Sequence, residues 1–382
     1  MDLSVNLTAF ILVVGGRLGL PLLIPRFPLI GVVLCMLLDS ADQTIFQRFT
    51  TIDLAGYQSY DKALDIYYLS IAYISTLRNW TNMFAFKASK FLLYYRLVGV
   101  TLFELTGFRA ILLILPNTFE YFFIFYQAIA LRWNPLRYPK RLIIGSIVFI
   151  WIFIKLPQEW WIHIAKLDVT ETLNKYLFHL PINTPMSQAF LSHMGISLAI
   201  LAVVIGIIFL ARWYIINKLP PANVKLLFAI KAPNNKDVRE TASSYPPASF
   251  FRGPLFEKIV LIGLVSTIFA MMLPSVKASL VSVFVFVALV ITVNSWISHQ
   301  MSKNNKDLWT FGVFREFLSM ISINFAILIL FLAFLPNING SEINWQITSF
   351  FLLLITIFIT LYDRYFPVHQ FLSMQKGITS KK

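Results

Sequence analysis

The chain has 382 residues, of which 58% are hydrophobic and only 13% charged, and its mean hydropathy is +0.71. About a quarter of an average soluble domain is charged, so this composition excludes an ordinary soluble protein and indicates an integral membrane protein. The formal net charge of +14 is attributed to basic loops that face the cytoplasm and anionic lipid head groups, and not to a nucleic-acid partner.

Repeated apolar runs along the chain approach the roughly 20 residues that cross a bilayer as a helix. The predicted fold class is therefore all-α, a polytopic membrane helix bundle with about 10–11 transmembrane helices. The first run has no basic flank or cleavage site, so we expect a retained helix. The candidate spans are about 8–24, 27–40, 62–78, 84–104, 110–131, 142–156, 196–213, 259–274, 279–298, 316–335 and 347–362.

Three regions are predicted from the order of these runs. An N-terminal membrane bundle covers 1–156, and a C-terminal membrane bundle covers 196–382 with a cytoplasmic loop at 214–257. Between them, 157–195 is a mixed polar and apolar stretch with Trp160 and Trp161 near its start, which is typical of an amphipathic interfacial segment.

Loop charge predicts the orientation of the second half of the chain. The loop 212–258 carries eight Lys and Arg residues, whereas 336–346 carries none. Basic loops stay in the cytoplasm, so we expect a multi-pass protein with the loop 212–258 and the C-terminus on the cytoplasmic side. The charges of 79–141 give conflicting answers, and its sidedness stays open.

Acidic residues concentrate at the ends of two neighbouring runs. Asp39 and Asp42 end the second run with i, i+3 spacing, and Asp61 and Asp65 begin the third with i, i+4 spacing, so each pair shares one helix face. The two helices are consecutive, so we expect the four carboxylates to meet at similar depth, where they repel one another unless a cation is present. Mg²⁺ prefers oxygen ligands and often combines a few carboxylates with substrate phosphates. This pattern predicts a metal site, although ordinary helix-end acids remain an alternative.

The same region resembles the CDP-alcohol phosphatidyltransferase family over about residues 1–80. That family has Asp-x2-Asp-Gly-x2-Ala-Arg, a short gap, and Gly-x3-Asp-x3-Asp, between two apolar helices. Gln43 stands at the family's first glycine, and the second glycine, Gly56, is one residue farther from Asp61. The residues that carry the resemblance are Asp39, Asp42, Arg48, Gly56, Asp61 and Asp65, with Asn6, Thr8 and Arg17-Leu18-Gly19-Leu20-Pro21 in the opening helix.

The resemblance implies a role for each matching residue. Asp39, Asp42, Asp61 and Asp65 would bind Mg²⁺ or Mn²⁺, and Asp65 would also be the catalytic general base. The implied activity is transfer of a phospho-alcohol group from a nucleotide-activated alcohol or lipid to a hydroxyl in lipid metabolism. Membrane lipids are expected partners, and a homodimer is a further expectation. Arg48, Gly56 and Lys62 are candidates for substrate binding, although such basic residues are often interfacial.

Two other interpretations remain open, a transporter or channel-like protein and a non-catalytic membrane scaffold. Asn117 and Glu120 follow Leu115-Pro116 inside an apolar run, where an acid needs a partner. They are interpreted either as pathway or pocket residues or as helix-packing hydrogen bonds. His163, His179 and His193 lack ligand spacing, and the single Cys35 excludes a disulfide framework.

Overall fold

The structure is a computed structural model that describes residues 3–50, 57–165, 167, 169–182, 184–230, 253–272, 280–303, 313–334 and 345–379. These ranges contain helices and no strand. The α-helices are α1 (Leu3–Gly19), α2 (Pro28–Phe49), α3 (Tyr57–Asn79), α4 (Met83–Thr106), α5 (Ala110–Ile114), α6 (Thr118–Ala130), α7 (Lys140–Phe149), α8 (Leu156–Glu159), α9 (Val169–Leu173), α10 (Met186–Ser192), α11 (Met194–Asn217), α12 (Gly253–Met272), α13 (Leu280–Lys303), α14 (Val313–Phe334) and α15 (Trp345–Thr379). Short 3₁₀ segments are Leu20–Leu23 and Pro135–Arg137, and π-helical segments are Ile150–Lys155, Trp160–Ile164 and Asn174–Phe178.

Within those ranges, 7 helices are long and apolar enough to cross a membrane. The predicted all-α, polytopic membrane fold is therefore confirmed. Each of the eleven predicted spans coincides with a helix or with consecutive helical segments, but four of those helices, α3, α4, α12 and α14, fall outside the seven. In α14 the apolar stretch found is the shorter Phe317–Phe331.

Helix α3 lies at the centre of the bundle. It packs against α1, α2, α4, α12 and α15. Its residues are buried around the whole helix circumference, including polar ones such as Ser70, Ser75 and Thr76, whose hydroxyls donate to carbonyls three or four residues earlier in the helix. Because other helices surround α3, it needs no lipid-compatible surface of its own. This explains how a helix with little apolar character occupies the core.

Two irregularities along the chain direct polar groups inward. Pro116 separates α5 from α6, and Asn117 and Glu120 lie at the start of α6. The second is a change of helix type around Pro157, within a continuous helical run, where α8 is flanked by the π-helical segments Ile150–Lys155 and Trp160–Ile164. Proline cannot donate an amide hydrogen bond, and π-helical turns accommodate such irregularities, frequently at functional sites.

The boundary of the predicted interfacial segment differs from the structure. The helical run that starts at Lys140 continues to Ile164 and is long enough to span a membrane. The start of 157–195 therefore belongs to that helix, since the π-helical turns carry it past Pro157. The rest of 157–195 contains the short α9 and α10, separated by Asn174–Phe178 and a loop.

Helix α12 joins the two halves through adjacent charged residues. Glu257 pairs with Lys90 of α4, with 2.6 Å between Oε2 and Nζ, and accepts a hydrogen bond from Tyr73 of α3 at 2.9 Å. Lys258 is 2% exposed and donates to both carboxylate oxygens of Asp363 in α15 at 2.7 and 2.8 Å. Opposite charges from different helices thus fix α12 against the N-terminal bundle on one side and α15 on the other.

Candidate functional site

The four predicted aspartates converge on the guanidinium of Arg17. Its Nη1 lies 2.7 Å from Asp39 Oδ1 and 2.9 Å from Asp61 Oδ1, and it also contacts Asp42 Oδ2. Its Nη2 lies 3.0 Å from Asp65 Oδ1. The convergence expected from the two helix faces is therefore confirmed, whereas the chemical roles of the aspartates stay predictions. The central cation is a side chain that the sequence-based metal hypothesis had not included.

Three helices position this cluster. Arg17 is in the last turn of α1, Asp39 and Asp42 lie on α2, and Asp61 and Asp65 lie in the first part of α3. Helix α1 packs against both α2 and α3, so the long Arg17 side chain reaches between them. One guanidinium offers five donors in a planar fork, which suits several carboxylates better than an ammonium does.

Solvent exposure divides the cluster into two layers. The Arg17 and Asp42 side chains are only 3% and 1% exposed. The side chains of Asp39, Asp61 and Asp65 are 34%, 33% and 37% exposed. These last three line a cavity of about 410 Å³, which neither Arg17 nor Asp42 lines. Asp42 is therefore the buried partner of Arg17, and the other three aspartates are accessible from the cavity.

The geometry of the three accessible aspartates is compatible with one divalent cation. One carboxylate oxygen from each of Asp39, Asp61 and Asp65 lies within 4.8 Å of the others. Two oxygens on one Mg²⁺ are at most about 4.2 Å apart, because each bond is about 2.0–2.1 Å long. Small side-chain rotations would bring the three into that range. A rotation of the Asp39 side chain would break no hydrogen bond of its buried Oδ1, since that atom is close to Arg17 but has no hydrogen bond of good geometry.

A second group of polar side chains lines the same cavity. It comes from α4, α6 and the helical run Lys140–Ile164, and its members are Arg96, Asn117, Glu120, Lys155, Gln158, Glu159 and His163. The cavity also has an apolar part that includes Met36, Ile66, Leu69, Val100 and Leu112. A ligand that fills it would meet both charged and apolar surfaces, as an amphipathic molecule requires.

Glu120 is the hydrogen-bonding centre of this second group. It accepts a hydrogen bond from the Tyr68 hydroxyl and another from Asn117 Nδ2 at 2.8 Å. Its Oε2 is 3.9 Å from Lys155 Nζ. Glu159 pairs in turn with His163 Nε2 at 3.0 Å. Glu120 thus both lines a pocket and forms helix-packing hydrogen bonds, so the two interpretations of this residue are compatible.

The predicted substrate-binding residues have different outcomes. Lys62 lines the cavity, but its Nζ lies 3.7 Å from Glu104 Oε1 and 4.6 Å from the centre of the Phe103 ring. Gly56 lies outside the described residues, as does the side chain of Arg48. Gln43 is exposed, and its backbone N–H donates to Asp42 Oδ1 at 2.6 Å.

The sequence-based metal hypothesis did not include three charged residues of the site, which share one feature in the sequence. Arg17 was noted only as part of a family pattern, and Lys155 and Glu159 were not considered. Arg17 and Lys155 are charged side chains within predicted apolar runs, and Glu159 lies just beyond one. Such residues are candidates for function because burial of a charge in a membrane is costly. Arg96 shares this feature, since it lies within the predicted apolar run 84–104.

Comparisons of this chain with known proteins identify no family. No protein-family model matches the sequence, and no curated protein or solved structure matches it significantly.

Proposed function

We propose that this protein is a metal-dependent membrane transferase that moves a phospho-alcohol group from a nucleotide-activated donor to a hydroxyl acceptor in lipid metabolism. The observation that carries the proposal is the group of Asp39, Asp61 and Asp65, whose oxygens lie within 4.8 Å of one another on a cavity of about 410 Å³. The family resemblance of residues 1–80 supports it. The apolar lining between membrane helices supports a lipid as one substrate.

The proposed metal ligands are Asp39, Asp61 and Asp65, and the metal is Mg²⁺ or Mn²⁺. When bound, such an ion would neutralise the charge that develops on phosphate oxygens during transfer. Asp42 was also predicted to be a ligand, but its burial behind Arg17 favours an indirect role. In this proposal Asp42 holds Arg17, and Arg17 holds the three accessible carboxylates in place.

Asp65 is the proposed general base. An acceptor hydroxyl oxygen attacks the donor phosphorus that carries the alcohol, and a new P–O bond forms. The phosphoanhydride P–O bond to the nucleoside monophosphate breaks, and that monophosphate leaves with the bond electrons. Asp65 takes the hydroxyl proton, which requires hydrogen-bond reach of the acceptor. Its side chain is 37% exposed and lines the cavity, which is compatible with this role.

The charge of the cluster supports a cation requirement. Four carboxylates face one guanidinium, so the cluster is acidic even with Arg17 in place. A phosphate group entering the cavity would be repelled by these acids without a further cation. Lys62, Arg48 and Gly56 remain proposed contributors to substrate binding.

An activity assay with purified protein in lipid vesicles tests the proposal. The assay would follow release of nucleoside monophosphate from CDP-alcohol donors with Mg²⁺, Mn²⁺ or EDTA. We expect metal-dependent turnover that Asp65→Asn abolishes, because an amide cannot take the proton. Gln43→Gly is a matched control on the neighbouring helix and should retain turnover. Failure to turn over any donor, with normal folding, would favour the transporter or scaffold interpretation.

A further inference from the structure

Arg96 has hydrogen-bond donors with no acceptor. It lines the cavity from α4, and its Nε and Nη1 atoms are buried with no hydrogen-bond partner in the part of the chain that the structure describes. A buried donor left without an acceptor is destabilising, so such groups in native proteins call for an explanation. A ligand in the cavity would supply the missing acceptor.

The other bases of the cavity already have partners. Lys62 pairs with Glu104, as described above. Lys155 donates to Gln158 Oε1 at 3.1 Å, and its Nζ lies 4.0 Å from the centre of the Tyr121 ring. Among the described residues of this lining, Arg96 is therefore the basic residue best able to donate hydrogen bonds to a ligand.

The surroundings hold the Arg96 side chain in a polar environment. Arg96 interacts electrostatically with Glu159 and with Lys155, and Glu159 is itself paired with His163. A neighbouring acid offsets part of the charge of Arg96, and its N–H groups Nε and Nη1 remain without acceptors. Nη1 is cis to Cδ, so the Nε–H and Nη1 groups lie on different edges of the guanidinium, and each can donate a charge-assisted hydrogen bond to a separate oxygen of a phosphate ligand.

We infer that Arg96 binds a phosphate group of the cavity's ligand directly. The inference rests on the proposed function for the use of this cavity as a substrate site, but the contact itself involves no metal. It assigns direct phosphate binding to α4, whereas the aspartates of α2 and α3 are the proposed metal ligands.

Binding measurements on the full-length protein in neutral detergent test this inference. One arm titrates inorganic pyrophosphate by calorimetry, in EDTA and in Mg²⁺, and the other titrates phosphatidic acid in mixed micelles. Arg96→Gln should weaken binding of at least one probe by about tenfold or more, as expected for a lost pair of charge-assisted hydrogen bonds. Arg96→Lys keeps the charge and should give an intermediate affinity.

The exposed Arg109 provides the matched control, since Arg109→Gln removes the same charge outside the cavity. It should change affinity by less than about twofold, as expected for an exposed charge in screening salt. The inference is overturned if neither probe binds, if Arg96→Gln binds both as tightly as wild type, or if Arg109→Gln weakens binding equally.

Mn²⁺ binding without any anion separates this inference from the proposed function. Arg96→Gln should bind Mn²⁺ like wild type. If Mn²⁺ does not bind at all but pyrophosphate binding in EDTA depends on Arg96, the inference stands and the metal-dependent function fails. If Mn²⁺ binds and Arg96→Gln binds both pyrophosphate and phosphatidic acid as tightly as wild type, the inference fails and the metal-dependent function stands.

Discussion

Removal of Arg17 should destabilise the protein strongly, chiefly through Asp42, and divalent cations bound by the three accessible aspartates should offset part of the loss by stabilising the folded state. In Arg17→Met the four carboxylates lose their shared counter-charge. Asp42 is affected most, because its side chain is 1% exposed and cannot be solvated in place. Breaking a buried ion pair by removing one partner typically costs about 3–5 kcal/mol. The three aspartates on the cavity are about one-third exposed, so water screens their charges and their contribution to the loss of stability is small.

Two further variants identify the cause of the loss. In the double variant Arg17→Met, Asp42→Asn no buried carboxylate is left unpaired at that position, so much of the stability should return. Arg17→Lys keeps the charge but not the planar fork, and it should fall between wild type and Arg17→Met.

Thermal unfolding in detergent measures this effect. Cys35 is the chain's single cysteine and is buried, so a thiol-reactive dye reports unfolding. With about 2.1 cal/mol/K of unfolding entropy per residue, a loss of about 3 kcal/mol corresponds to a fall in Tm of roughly 4 °C for a 382-residue chain that unfolds as one unit. Arg17→Met should show that fall in EDTA and a smaller fall in Mg²⁺. Equal Tm values for Arg17→Met and wild type in EDTA would refute the reasoning, as would an Asp42→Asn replacement that restores nothing.

Two other predictions concern topology and the ion pair that fixes α12 to α15. Single cysteines placed at Ser244 and Ser380 of a cysteine-free background should react with an impermeant reagent only from the cytoplasmic side, and labelling of either from outside would overturn the predicted orientation. Lys258→Met should destabilise the protein toward the lower end of about 3–5 kcal/mol, since it leaves Asp363 unpaired but 26% exposed. Adding Asp363→Leu should recover most of that loss in the same unfolding assay, and no recovery would show that the pair itself is not the cause.

Much of the fold and the convergence of the aspartates could be predicted because both depend on local sequence. Apolar length fixes where helices form, and i, i+3 or i, i+4 spacing fixes which carboxylates share a face. Helices α2 and α3 are also consecutive, so their acidic ends were expected to meet. Hydropathy alone would understate how deeply α3 is buried, because protein and not lipid surrounds its polar residues.

The partners of the aspartates could not be predicted in the same way. Arg17 reaches Asp65 across 48 positions of sequence, and this contact depends on how α1 packs against α2 and α3. Arg96 comes from α4, whereas Lys155 and Glu159 come from the helical run Lys140–Ile164, so these three residues line one cavity only because separate helices pack together. No periodicity in one sequence specifies which faces of such separate helices meet.

Divalent-cation binding by the three accessible aspartates tests the central claim most directly. Mn²⁺ would be titrated by calorimetry into purified wild-type protein and into a variant in which Asp39, Asp61 and Asp65 are all Asn. These near-isosteric changes keep the shape of the site, and Asp42 still pairs with Arg17. The proposed site predicts saturable Mn²⁺ binding to wild type that the triple variant loses. Binding of Mn²⁺ to neither protein, or equally to both, would contradict it and leave Arg17 as the cluster's cation.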